Sequence, residues 1–350
     1  MKWTEQGQRS GIAAALGASL LFGCSTPIAK VLLVSISPWM LAGILYLGSG
    51  IGLALYRQLR RRPAVRIARR DALWLVGAIF AGGVVAPVLL MLGLAGMPAS
   101  GASLLLNAEG AFTAVLAWFV FRENFDRRVM AGMALIFGGA VTLSWPAEPS
   151  ASNLWPALAV LGACLAWGVD NNLTRHVSLV DATWLASIKG LAAGSINLTL
   201  ALMIGATWPP LSALAQALVL GVVSYGASLT LFVIGLRHLG AARTGAYFSV
   251  APFFGAILAI PLLNERLSVQ LLIAGLLMAF GVWLHLTERH AHEHHHDAMS
   301  HTHEHEHDGH HQHTHDPPLP PGTRHIHRHE HRPVTHAHGH FPDAHHRHKH

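Results

Sequence analysis

Glu109 stands in the stretch LLLNAEGAFTA, and no Lys or Arg lies within ten residues on either side of it. An ionisable group in hydrocarbon is costly, so one that persists there reads as a binding or coupling group. A carboxyl at this place could take a proton, hold a cation, or pair with Lys189, which lies in another apolar run. A second polar cluster, Asp170, Asn171 and Asn172, is followed by Arg175 and His176. Helical spacing puts Asn172 and His176 on one face and Asp170 near Thr174. Oxygen and imidazole donors so grouped could hold a divalent cation at the mouth of a pore. Lys189 could instead pair with Asp170 or meet an anionic substrate. Asn107, Asn197, Ser249 and Tyr225 are single polar groups of the kind that also serve helix–helix hydrogen bonds. Cys24 and Cys164 both sit in apolar runs and form no disulfide framework.

The elements that must carry these groups are membrane helices. Of the 350 residues, 52% are hydrophobic and only 12% are charged, whereas soluble domains carry about 25% charged residues. Charge is also clustered: Lys30 is the only charge from Gly11 to Leu33, and none occurs from Leu191 to Leu236. Runs of about 20 apolar residues match a hydrocarbon core roughly 30 Å thick. Punctuation by Pro, Gly and charge gives ten spans, at 10–34, 38–56, 71–93, 98–121, 128–145, 153–174, 182–205, 212–236, 242–262 and 269–287. The first is read as a retained span, since no small-x-small cleavage site follows it.

Lys and Arg collect in alternate loops. Arg57, Arg60, Arg61, Arg62, Arg66, Arg69 and Arg70 lie between spans 2 and 3, Arg122, Arg127 and Arg128 between spans 4 and 5, and Arg237 and Arg243 around spans 8 and 9. The opposite loops lack them, apart from Arg266. The positive-inside rule then places both termini in the cytoplasm of a bacterial-type inner membrane. Trp39, Trp145, Trp155 and Trp208 fall at the outer ends, where indole favours the interface. The net charge of +6 follows this topology and calls for no nucleic acid.

The chain also repeats itself. Setting Glu123 on Glu265 brings FVFRENFDRRVMAGMALIFGGAVTL onto IPLLNERLSVQLLIAGLLMAFGVWL, with Phe112 on Phe254 and Gly139 on Gly281. Similarly, LLFGCSTPIAK resembles CLAWGVDNNLTR, with Gly23 on Gly168 and Lys30 on Arg175. Five spans per half force the second half to enter from the opposite side, an inverted repeat of the kind on which secondary transporters are built. The expected fold is therefore all-α integral membrane, with ten transmembrane helices in two inverted five-helix repeats. The halves divide as 1–147 and 148–289, ahead of a disordered tail at 290–350.

On LLFGCSTPIAK, FRENFDRRVMAGMALIFGGAVTL and NERLSVQLLIAGLLMAFGVW, the sequence resembles the drug/metabolite transporter superfamily in its EamA-like form. The resemblance spans about residues 11–287. It implies movement of a small solute such as an amino acid, nucleotide sugar or drug. The His-rich tail is similar to that of nickel or cobalt efflux members. The second half carries Lys189 where the first has Ile44, so the halves do not supply a symmetric pair of charges.

The tail holds 24 His in 61 residues. His292, His294, His295, His296, His301, His303, His305, His307, His310, His311, His313 and His315 alternate with acids and small residues. Such a segment has too little apolar surface for a core. Imidazole favours Ni, Co, Zn or Cu, so the tail is expected to bind these metals, with no cofactor required. The leading expectation is secondary-active export of a divalent transition metal, with the tail collecting ions. The alternative is export of a small organic metabolite or amino acid, with the tail buffering or sensing metal. A membrane metal sensor that transports nothing is disfavoured by the inverted repeat. An enzyme is disfavoured because the chain has no P-loop, no HExxH and no nucleophile set beside a base. Expected partners are the bilayer and a small solute or metal ion, with homodimerisation open.

Overall fold

The structure, a computed structural model, describes residues 2–62, 65, 67–121, 127–145, 151–177, 180–286, 291–296, 299–305, 325–331 and 334–339. Ten membrane crossings follow one another as the hydrophobic pattern requires. The first is α1 (Lys2–Gly23) and α2 (Ser25–Leu32), which meet at a turn on Cys24. Pro27 causes the interruption, because its ring opposes the carbonyl four residues back, on Gly23. Next comes α3 (Pro38–Leu59), with proline at its start, where no N–H is needed. The third crossing is α4 (Arg69–Ala78), a π segment (Ile79–Val85) and α5 (Ala86–Gly96). The fourth is broken into α6 (Ala99–Leu105) and α7 (Ala108–Phe121), and α8 (Arg127–Ser144) closes the first half.

The second half repeats this plan with α9 (Ala151–Thr174), α10 (Ala182–Met203) and α11 (Leu211–Leu220). A second π segment (Gly221–Ala227), α12 (Ser228–Phe248), α13 (Ala251–Leu263) and α14 (Val269–Leu286) follow. The eighth crossing turns into the ninth within α12. The Ser228 hydroxyl donates to Ala18 O while Tyr247 O accepts from Ser19, and Gly235 lies against Thr244. Both ends of this element therefore pack on one turn of α1, and the chain reverses between them. Six segments are individually long and apolar enough to cross a bilayer, and Met130–Ser144, Ala251–Leu263 and Val269–Leu284 are shorter apolar helices.

The repeat is visible in the backbone. The alignment that sets Glu123 on Glu265 carries Ile79–Val85 onto Gly221–Ala227, which is where the second π segment lies. It also carries Asn107, at the α6–α7 break, onto Ser249, at the α12–α13 break. The most extensive packing joins one half to the other: α3 with α10, α1 with α12, α8 with α14, and α5 with α9. The division at 147 thus separates repeats but not bodies, and Met1–Glu288 forms one compact unit. Small residues permit this closeness, as is usual between membrane helices. A Cβ on Gly190 would come within 2.8 Å of the Gly50 backbone where α3 crosses α10.

Side chains tie the ends of the helices together. At one end Lys30 Nζ donates to the carbonyls of Leu94, Ala95 and Met97 at 2.6, 3.0 and 3.1 Å. Glu265 accepts the N–H groups of Ala99 and Ser100 at 2.6 and 2.9 Å. These are orphan groups of helix ends, which hydrocarbon cannot solvate. The Asn-Glu-Arg turn that carried the resemblance now has a physical account. Asn264 adopts φ 51°, the left-handed conformation that ends α13. Glu265 then caps α6 in the other half. At the opposite end Asp181 caps α10 by accepting Trp184 N–H at 2.9 Å and Arg57 Nη1 at 2.6 Å. Partial burial opposes the charge of Asp181. The Thr183 hydroxyl, the Trp184 N–H and the charges of Arg57 and Arg62 still hold its carboxyl below the usual carboxylate range.

The tail is a separate unit, Arg289–His350. Its described residues contain no helix. They form β1 (Ala291–His296) antiparallel to β4 (Val334–Gly339), and β2 (Met299–His305) antiparallel to β3 (His325–His331). The tail's alternation of His with other residues has the period of two that suits a strand.

Candidate functional site

Helix breaks in the hydrocarbon region expose backbone groups, which is tolerated only where protein buries them or a cavity receives them. The α6–α7 and α12–α13 breaks line one cavity of about 240 Å³ between the halves. From the first break come Asn107 and Glu109, and from the second Phe248, Ser249 and Pro252, with Phe22 of α1 forming a wall. Asn107 turns its amide back onto Leu104 O at 2.9 Å, which supplies a donor to the open end of α6. Among the described residues the lining is mainly apolar and offers one carboxylate, one side-chain amide and one hydroxyl.

Glu109 lies in the first turn of α7, where the positive end of the helix dipole favours an anion. Its carboxylate accepts a hydrogen bond from Asn171 Nδ2 at 3.0 Å. The same amide reaches Thr113 Oγ1 at 3.2 Å, and Thr113 donates to Glu109 O at 2.8 Å. Among the described residues no cation lies within ion-pair distance of Glu109.

Asp170 is treated differently, although it is the next residue to Asn171. Both of its oxygens meet Lys189 Nζ, at 2.6 and 2.7 Å, and Thr174 donates to it at 2.8 Å. The two side chains are 8% and 18% exposed, so the pair is largely desolvated and must stay matched. Of the two partners open to Lys189, the fold selects Asp170. Room for the carboxylate comes from Gly82 in the first π segment, where a Cβ would overlap it. The π segment frees carbonyls that other helices satisfy. Gly82 O accepts from Tyr46 Oη and Trp167 Nε1, both at 2.9 Å, and Gly83 O accepts from Asn197 Nδ2 at 2.9 Å. Tyr46, Trp167 and Gly82 carried no signal in the sequence, because nothing in an apolar run announces a π segment.

The proposed cluster at the pore mouth does not assemble as one set. Asn172 donates to Thr113 O and Gly168 O at 3.1 and 2.8 Å, and His176 stacks on Trp74 with ring centroids 4.2 Å apart. Successive residues of a helix point about 100° apart, so Asp170, Asn171 and Asn172 serve three neighbours. Among the described residues no three metal-ligating side chains of the His, Cys, Asp or Glu type come together. Cys164 is buried, with Sγ 3.5 Å from Leu105 O.

In the tail, His292, His294, His301, His303 and His305 occupy strand positions opposite another histidine, while His295 faces Thr335 and His296 faces Val334. His307, His310, His311, His313 and His315 lie outside the described residues. The opposing positions His325, His327, His329, His336 and His338 were not singled out from the sequence.

Ten crossings in two interlocked inverted repeats, with a cavity at paired helix breaks, define a multi-pass membrane transporter. The chain matches the EamA-like transporter family twice, over residues 9–145 and 154–287, and belongs to that family. It is 32% identical over 294 residues to an uncharacterized transporter of Methanothermobacter thermautotrophicus, covering 78% of this chain and 85% of the relative. It is 27% identical over 207 residues to a probable amino-acid metabolite efflux pump of Escherichia coli, covering 54% and 68%. A solved crystal structure superposes with a TM-score of 0.60 at 18% identity, over 79% of this chain and 97% of the other, which supports the fold. The family and both relatives are named as transporters or efflux pumps, not as enzymes.

Proposed function

We propose that the protein exports a small organic solute bearing an amino group, by alternating access of the central cavity. The observation that carries this reading is the contrast between Glu109, whose partner is a neutral amide, and Asp170, which is matched by Lys189. An ionised carboxylate in a membrane interior calls for a cation, and the cavity leaves that place open to a proton or an ammonium group. Glu109 would then alternate between the two, which couples solute movement to a proton in the opposite direction. Phe22 and Phe248 supply the apolar and cation–π surface that an aliphatic amine favours. The similarity to a probable amino-acid metabolite efflux pump supports the same solute class and the outward direction.

Export of Ni, Co or Zn remains the second reading, and the density of His in the tail is the observation that favours it. Against it stands the cavity lining, which among the described residues has no imidazole or thiol, the donors such ions prefer.

Cells lacking their own exporters and expressing the chain should show lowered internal amino acids under amino-acid overload, with unchanged Ni and Co. Glu109→Gln should remove that effect about tenfold or more, since an interaction with a desolvated charge is lost. Lowered Ni or Co with unchanged amino acids would move the assignment to the second reading. Parental export by Glu109→Gln would overturn the role of Glu109.

A further inference from the structure

The two oxygens of the Glu109 carboxylate are held differently. Asn171 Nδ2 donates to Oε1 at 3.0 Å, and among the described residues Oε2 has no hydrogen-bond partner. Glu109 lines the cavity, whereas Asn171 and Thr113 are not among its lining residues.

Thr113 decides which way the Asn171 amide faces. It lies four residues after Glu109 and so on the same face of α7. Its hydroxyl proton is committed to Glu109 O, at 2.8 Å, so its oxygen meets Asn171 Nδ2 as an acceptor, at 3.2 Å. An amide donates only from its nitrogen. Turned over, Asn171 would set its oxygen against two acceptors. Thr113 is in turn held by α9. Asn172 Nδ2 donates to Thr113 O at 3.1 Å, and a Cβ on Gly168 would lie 3.1 Å from Thr113 N.

The other repeat closes the same seam without this set. Phe112 lies against Gly168 as its counterpart Phe254 lies against Gly23. In that copy Ala251, Gly255 and Thr26 stand where the first seam has Glu109, Thr113 and Asn171. The contact there is made by backbone: Gly255 lies against Gly23 O, and Gly23 against Ala251 O. The carboxylate, its amide donor and the hydroxyl that orients the amide are thus replaced together, which marks them as one unit and not as the glue of the seam.

We propose that Thr113 and Asn171 are positioning residues for Glu109, keeping Oε1 as a permanent acceptor and leaving Oε2 as the atom that exchanges a proton for the ammonium group of the solute. With the proton on Oε2, Oε1 is the carbonyl oxygen of a neutral carboxyl and still accepts from Asn171. When the proton leaves, the negative charge meets the ammonium group and the amide bond stays. The carboxyl keeps one orientation through both charge states, and no hydrogen bond of the network has to break as its load changes. The inference rests on the reading of Glu109 as the exchangeable charge.

The test is infrared difference spectroscopy on the full chain in detergent, with the proton alone as ligand. Spectra in acid minus spectra in alkali should contain a carboxyl C=O band that Glu109→Gln deletes. Accepting a hydrogen bond lowers the frequency of such a band, so Asn171→Leu should move it upward. Thr113→Val keeps the shape of the side chain and should move it the same way by less. Thr113→Ser retains the hydroxyl and should leave it at the parental place. Suppose Glu109→Gln deletes the band while Asn171→Leu and Thr113→Val leave its frequency unchanged. Then the C=O oxygen is not the one that Asn171 holds, and the inference is overturned with the reading of Glu109 intact. If Glu109→Gln deletes no band, Glu109 takes up no proton, and the reading of Glu109 falls together with this inference.

Discussion

The two π segments occupy equivalent places in the two repeats, yet they are held in different ways. In the first, the freed carbonyls of Gly82 and Gly83 take three donors from three other helices: Tyr46 of α3, Trp167 of α9 and Asn197 of α10. The Asp170–Lys189 pair sits directly against it. In the second, Gly226 O receives Thr230 of its own helix at 3.1 Å, and Tyr225 packs its ring against Phe22 of α1 and Tyr46 of α3. Glycine provides the closeness there, since Gly221 lies against Leu45 O of α3. The inverted repeat therefore preserves a backbone device while the side chains specialise. The first segment is pinned by polar contacts near Glu109.

The comparison is broken most severely at the ion pair. Lys189→Ala should strand Asp170 and cost about 3–5 kcal/mol, read as a fall in thermal unfolding temperature in detergent. Replacing both members, Asp170→Leu with Lys189→Met, should recover most of that loss. If the single variant unfolds with the parent, the first segment is not held by this pair.

Next in size is a test of the two glycines. Gly82→Ala would drive a methyl group into the Asp170 carboxylate and should cost about 1–3 kcal/mol. Gly226→Ala meets no atom nearer than 3.9 Å and should leave stability unchanged. Equal effects at the two sites would remove the asymmetry. A smaller change is expected from Tyr46→Phe, about 1 kcal/mol, because Trp167 still serves the Gly82 carbonyl.

The smallest effect concerns the Arg57–Asp181 cap. The folded carboxyl titrates below its ordinary value, so its contribution is present above that value and fades as the pH falls through the lowered one. Asp181→Asn should cost up to about 1 kcal/mol at neutral pH. Its unfolding temperature should converge on that of the parent in acid. A difference that persists at the lowest pH would show that the cap does not act through charge.

Much of the fold was legible because a bilayer imposes one length on every helix, and the arginine-rich loops punctuate the runs. The repeat was legible from residues such as Glu123, Glu265, Gly139 and Gly281. Its function was not. Glu265 caps a helix 166 residues earlier in the chain, and a contact so distant leaves no local mark. Glu109 stood out because a carboxyl in an apolar run has no structural excuse. The Asp170–Lys189 pair was one of several readings open to Lys189, and only the packing of α9 on the first π segment decided it. Tyr46, Trp167 and Gly82 were invisible, since their importance arises from a freed carbonyl that sequence does not display. The cavity itself followed from two helix breaks whose residues, Asn107 and Ser249, stood in the sequence only as weaker candidates of the kind that also serve helix–helix hydrogen bonds.

The central claim is that Glu109 is the exchangeable charge of the cavity. It is tested most directly with the purified chain in proteoliposomes that enclose a pH-sensitive dye, challenged with single radiolabelled amino acids. Parent vesicles should move solute and protons in opposite directions, and Glu109→Gln, folded and inserted, should move neither. Solute movement by Glu109→Gln at the parental rate, with its proton signal intact, would contradict the account.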